Sequence, residues 1–218
     1  MVSLKKLLPR VVPILAGLIA GVLISSVLHW ATGFSLFGKT REKPLAYDKV
    51  DNASLTAIAF DILNDIKGGD YRSLSKKVHP SYGLLFSPCS TITLSTNKCF
   101  STDQVSAFSA DNNVYVWGVY SGSGEPIELT PADYIAEFVF DRDYTNADVV
   151  GVNHVVKSGN ALENITEVFP EIMYVDFHFP CSDKNAADNT SWSSLRLGFE
   201  EFDGSLRLTV ILHSEWAV

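Results

Sequence analysis

From Glu171 to Trp216 the sequence alternates between apolar and polar residues in three runs, and no other stretch restricts the fold as much. A period of two is the mark of a strand with one buried face. The runs are Glu171 to Phe179, Ser194 to Phe202 and Leu206 to Trp216, with Asp203-Gly204 as the turn between the last two. In the first run Met173, Val175, Phe177 and Phe179 share a face, opposite Tyr174, Asp176 and His178. In the second, Leu195, Leu197 and Phe199 oppose Ser194, Arg196, Gly198 and Glu200. In the third, Leu206, Leu208, Val210, Leu212 and Trp216 oppose Arg207, Thr209, Ile211, His213 and Glu215. One face is core; the other is expected to gather Asp176, His178, Arg196, His213 and Glu215.

Helix signals come earlier in the chain. Asp51 or Asn52 can cap a helix in which Leu55, Ile58, Ile62 and Ile66 recur at helical spacing, ended by Gly68-Gly69. A short helix over Tyr71 to Val78 stops at His79-Pro80. Ser101 with Gln104 forms a capping box, and Thr130-Pro131-Ala132-Asp133 opens a helix running to about Phe140. Tyr82 to Phe86, the Thr-rich stretch between Cys89 and Cys99, and Val114 to Tyr120 read as strand. The expected class is α+β: an N-terminal transmembrane helix, then a curved antiparallel sheet with helices packed on one face.

The membrane helix follows from a stretch, Val11 to Gly38, without Asp, Glu, Lys or Arg. Its apolar heart, Val11 to Leu28, spans about 27 Å as a helix, close to a bilayer core. It exceeds the usual apolar run of a cleaved signal and has no small-x-small site near Ser26 to Ala31. Residues 1–31 are therefore read as an uncleaved anchor, 32–50 as a juxtamembrane linker and 51–218 as an extracytoplasmic domain. Residues 1–43 hold six of the 17 basic residues and one of the 25 acidic ones, leaving 11 basic and 24 acidic beyond them, a net charge of -13. That balance excludes a basic nucleic-acid binder. Lys5, Lys6 and Arg10 precede the apolar run and Lys39, Arg41 and Lys43 follow it, offset only by Glu42, so the charges favour neither side strongly. The short N-terminal tail favours a cytoplasmic N-terminus with the bulk of the chain outside.

An oxidising side of the membrane would favour a bridge between Cys89 and Cys99, with Cys181 left over. No cysteine spacing suggests zinc. There is no Gly-x-Ser-x-Gly elbow and no His-Glu-x-x-His, and Asp141-Arg142-Asp143 lacks the rest of a calcium loop. No cofactor is implied. Gly122-Ser123-Gly124-Glu125-Pro126 reads as a tight turn. The aromatics around it, Trp117, Tyr120, Tyr134, Phe138 and Tyr144, either fill the core or wall an apolar pocket. The candidate ligand contacts are Trp117, Tyr120, Tyr134 and Arg196. His178 and His213, with Asp176 and Glu215, are the candidate acid–base pairs. The competing reading of those charged groups is a solvated sheet face with cross-strand ion pairs.

Two stretches together resemble an uncharacterised family of secreted or membrane-anchored bacterial domains. One runs from Trp117 through Tyr120, Gly122, Pro126 and Thr130-Pro131 to Tyr134 and Phe138. The other comprises His178-Phe179-Pro180, Trp192 to Leu197, and His213-Ser214-Glu215-Trp216. The resemblance covers nearly the whole domain after the linker and implies no particular activity. Cys181 stands where that family has glycine, and Leu206-Arg207-Leu208 replaces an aromatic-rich strand start. The order of helices then strands is also similar to the cone-shaped NTF2-like fold, which hosts enzymes, binding modules and scaffolds alike.

Three functions follow as expectations. The first is a membrane-tethered, non-enzymatic domain that binds a small ligand, a wall component or a partner protein. The second is a hydrolase or isomerase using a His–carboxylate pair. The third is a structural or assembly component.

Overall fold

The computed structural model describes residues 50–181 and 190–216. The expected anchor at Val11 to Leu28 lies outside the described residues. Among the described residues no helix is long and apolar enough to cross a membrane.

The first helix, α1 (Asn52–Gly68), starts where Asp51 accepts a hydrogen bond from Ser54 N at 2.7 Å and ends on the left-handed Gly69. It buries Leu55, Ala59, Ile62, Leu63 and Ile66, and each large aliphatic contributes about 1.5–3 kcal/mol relative to exposure. Next come α2 (Tyr71–Lys77), capped by Asp70, and β1 (Leu84–Ser87). The Thr-rich segment expected as strand is instead loop and turn, and only its end joins β2 (Lys98–Phe100). The capping box of Ser101 and Gln104 is formed at the start of α3 (Thr102–Ser106). A separate hairpin pairs β3 (Tyr115–Val119) with β4 (Pro126–Leu129) across the glycine turn. Thr130 caps α4 (Pro131–Tyr134), which widens into a π-helical turn over Ile135–Val139. After β5 (Val149–Val152) the chain makes a long loop to α5 (Ile165–Val168), then β6 (Met173–Phe179), β7 (Ser193–Phe202) and β8 (Ser205–Glu215).

The main sheet has the order β2-β1-β8-β7-β6-β5. It is mixed rather than wholly antiparallel, because β1 lies parallel to β8, with Leu85 opposite Val210 and Ser87 opposite Leu212. Both faces of the sheet are buried. Leu55, Leu74, Val105 and Tyr134 of the first four helices join Val175, Phe177, Leu195, Leu197, Phe199, Leu208 and Ile211 in the larger core. Its centre is aromatic, with the Phe86 ring edge-on to Trp117 at 5.3 Å and Trp117 stacked on Tyr134 at 3.9 Å. On the opposite face Tyr174, Val210 and Leu212 pack with Leu85, Ile92, Ile165 and Ile172.

A β-bulge decides which β8 residue meets which core. Phe199 is opposite Leu208, but the next β7 residue, Gly198, is opposite Val210, so Thr209 is extra. One additional residue inverts every side chain beyond it. Leu208 and Ile211 therefore join the larger core, while Val210 and Leu212 join the smaller. The single-face assignment of Leu206 to Leu212 is corrected accordingly.

Gly83 closes the corner before β1, where its N–H donates to His79 O at 2.8 Å. Its φ is +77°, and a Cβ there would press inside the contact distance of Phe100 O. Gly83→Ala is expected to cost about 2–4 kcal/mol from the backbone and the clash together. Gly124→Ala, at φ +72° with open space around it, should cost about 1–2 kcal/mol. Urea unfolding of the two variants measures the difference.

Candidate functional site

The bulge in β8 turns His213 onto the helix-bearing face, where Leu195 is its cross-strand partner. Its ring is 3% exposed and stands edge-on to Phe138 at 6.0 Å. Carboxylates lie on both sides of it. Glu215 Oε2 is 3.7 Å from Nε2, and Asp141 Oδ1 is 3.8 Å from Nδ1. Asp141 is fixed in turn by the Tyr144 hydroxyl, which donates to Oδ1 at 2.9 Å and lies 3.1 Å from Ser193 Oγ. Burial, with Asp141 beside it, raises the Tyr144 phenol far above its ordinary value. The His213 ring holds the Glu215 carboxyl below the usual carboxylate range, although partial burial opposes this.

Glu215 opens into a cleft of about 170 Å³. Tyr120 and Val119 wall it from the end of β3, Phe138 from the π-helical turn, Cys89 from the loop after β1, and Trp216 from beyond β8. The hairpin holds Tyr120 by two backbone bonds, Tyr120 N to Glu125 O at 2.8 Å and Gly124 N to Tyr120 O at 3.0 Å. The Tyr120 hydroxyl donates to Glu137 Oε1 at 3.0 Å. Burial, assisted by that carboxylate, raises the phenol above its ordinary value. Phe138 ends an aromatic stack that begins in the core. Trp117 Nε1 donates to Leu129 O at 2.9 Å, Tyr134 stacks on Trp117, and Phe138 lies 5.0 Å from Tyr134.

The expected ligand contacts therefore separate. Tyr120 reaches the cleft, while Trp117 and Tyr134 are fully buried behind it. Arg196 is on the other sheet face and has no solvent exposure. The charged groups expected on one face also separate: Asp176, His178 and Arg196 lie on one side, His213 and Glu215 on the other. Nor is the first group a solvated face, since Asp176 is 0% exposed and His178 is 3% exposed.

Arg196 Nη1 donates to Glu163 Oε2 at 2.6 Å and Nη2 to Asp176 Oδ2 at 3.3 Å. Asp176 Oδ2 also accepts from Val156 N at 2.9 Å. Burial pushes the Asp176 carboxyl up, and the Arg196 guanidinium opposes that shift. Arg196 Nε, Asp176 Oδ1 and Glu163 Oε1 have no hydrogen-bond partner among the described residues. The network ties the loop carrying Val156 and Glu163 to the sheet, and the same loop supplies Ala161 to the cleft wall. Two bonds between the Asn164 side chain and the Ile92 backbone, at 2.8 and 2.9 Å, fasten its far end. His178 is separate from this network: its Nδ1 lies 2.8 Å from Ser194 Oγ, and burial lowers its pKa.

In place of the expected Cys89–Cys99 bridge, the structure has both residues as free thiols. Cys89 Sγ donates to Thr91 O and Cys99 Sγ to Tyr82 O, two unrelated carbonyls. The intervening segment is a loop packed against the 162–164 stretch rather than a two-strand clip. Burial raises both thiols above their ordinary value. Among the described residues no group of three or more His, Cys, Asp or Glu could hold a metal ion.

Phe138, one of the aromatics expected around the glycine turn, does line the cleft, whereas Glu163 and Asp141 are site residues that the strand pattern did not single out as partners. The consecutive apolar run Val210-Ile211-Leu212 was the available signal that both sheet faces are covered. No family model and no curated protein matches the chain.

Arg196→Met should destabilise the domain by about 3–5 kcal/mol, because it leaves two carboxylates without their cation. Combining it with Asp176→Leu should recover part of the loss, as read by chemical denaturation. Thiol titration of protein prepared without reductant should find Cys89 and Cys99 both reactive, Cys99 first. Failure of both to react, even after unfolding, would restore the bridge.

Proposed function

We propose that this chain is a membrane-tethered, extracytoplasmic and non-enzymatic domain that binds a small ligand in the cleft beside Glu215. The observation that carries the reading is the cleft lining: Tyr120, Phe138 and Trp216 around one carboxylate, with Tyr120 37% and Trp216 39% exposed. Large apolar rings left partly open at the mouth of a concavity, with a polar group to orient an occupant, are what a small-molecule site requires. The tether rests on the charge-free run from Val11 to Gly38, and the outward orientation on the short tail that precedes it. Kinship with NTF2-like folds is part of the same proposal. It is supported by the packing of the first four helices on one face of the main sheet, with a cleft at its rim.

A second reading is acid–base catalysis in the same cleft. It is favoured by the Asp141–His213–Glu215 array, whose outer carboxylate is accessible while its imidazole is buried. His178 with Asp176 offers no such route, because both are buried on the sheet face opposite His213. A scaffold role through Cys181 pairing between chains is weakened by the burial of that thiol against Ser191.

Native mass spectrometry of the full chain in detergent, followed by a fragment screen by ligand-observed NMR, tests the binding reading. The expected result is occupancy that falls at least about tenfold in Tyr120→Ala, roughly 1.4 kcal/mol, with unchanged thermal stability. Ligands that bind equally well to the variant would place the site elsewhere.

A further inference from the structure

We infer that the cleft takes a small organic cation, an ammonium group carried on an apolar body. The inference rests on the binding reading above and adds the chemistry of the occupant. Three rings, Tyr120, Phe138 and Trp216, border the space, and Glu215 stands among them. Aromatic faces carry negative potential and attract ammonium groups, most strongly where water is partly displaced.

The polar groups around the cleft have the same sign. Glu215 keeps 60% of its side chain exposed. A second carboxylate, Glu137, accepts the Tyr120 hydroxyl at 3.0 Å. No lysine or arginine is among the lining residues. Arg142, whose charge reaches Glu215, is engaged elsewhere: it donates to Ser191 O at 3.3 Å and lies over the Phe179 ring at 5.8 Å. His213 is buried behind the carboxylate rather than in the cleft. An anionic occupant would meet the Glu215 carboxylate with no lysine or arginine in the lining to offset it.

Size and field agree with this. A space of about 170 Å³ is of the order that accepts a benzene-sized body, and a trimethylammonium group or a cyclic amine is no larger. The net charge of -13 beyond Lys43 draws cations toward the domain as a whole. The same features separate a free amine from a lipid headgroup. A phosphocholine would bring a phosphate, and the lining offers it no positive partner.

The test is isothermal titration of the full chain in a nonionic detergent with three probes: choline, its neutral carbon isostere 3,3-dimethylbutan-1-ol, and phosphocholine. Choline should bind, the isostere should bind at least tenfold more weakly, and phosphocholine should bind no better than choline. Glu215→Gln should weaken choline at least tenfold while leaving the isostere unchanged. In the wild-type chain choline should also slow alkylation of Cys89, which lines the cleft, so the assignment does not depend on a variant folding. Equal affinity for choline and the isostere would overturn the cation but keep the cleft as an apolar site. Tighter binding of phosphocholine would overturn the free amine in favour of a headgroup. No binding of any probe, with neutral fragments found in the cleft, would overturn the cation alone. No cleft ligand of any kind would overturn both this inference and the reading beneath it.

Discussion

The extra residue at Thr209 sets the two halves of β8 against different cores. Before it, Leu208 faces the helices; after it, Val210 and Leu212 turn away from them while Ile211 and His213 turn toward them. A regular strand would have placed Val210 and Leu212 with Leu208 and sent His213 to the side of Arg196. The bulge thus separates two charged systems that cannot share one face without cross-interaction. Arg196, Asp176 and Glu163 form one, beneath the loop after β5; Asp141, His213 and Glu215 form the other, at the rim. Thr209 is itself buried, its hydroxyl donating to Arg207 O at 3.3 Å. The kink is therefore inside the fold and not at a free edge.

The two charged systems are built differently. Around Arg196 the charges are almost wholly removed from water, and their role is to fasten a loop across the sheet. Attraction and desolvation nearly cancel in such a site, so removing one partner does more harm than replacing the whole set with apolar groups. Around His213 the innermost group is buried but the outermost is exposed. The same residue types give a structural tie in one place and an accessible carboxylate in the other, and depth decides which.

Local features of this fold were legible in the sequence. Asp51, Ser101 and Thr130 cap the helices expected of them, because a cap depends on residues three positions away. The three C-terminal strands and the Asp203-Gly204 turn were legible for the same reason. Non-local features were not. The parallel pairing of β1 with β8 and the strand Val149–Val152 leave no local trace. A period of two cannot reveal a bulge, so His213 and Glu215 were grouped with Asp176 and Arg196. Of the proposed ligand residues, Tyr120 alone reaches the cleft. Trp117 and Tyr134 support it from behind through stacking that spacing along the chain does not encode.

Because β8 stands between β1 and β7, the strand made earliest in the main sheet waits for the one made latest. Leu84–Ser87 emerges long before Ser205–Glu215, and until then its partner on that side does not exist. During synthesis the helices and β1 must stay open, with Phe86 and Leu84 unshielded, while the hairpin and β5 to β7 follow. Contacts between such distant segments form slowly. An interval with exposed apolar strands is when a chain of this order is most exposed to aggregation and most in need of a holding chaperone.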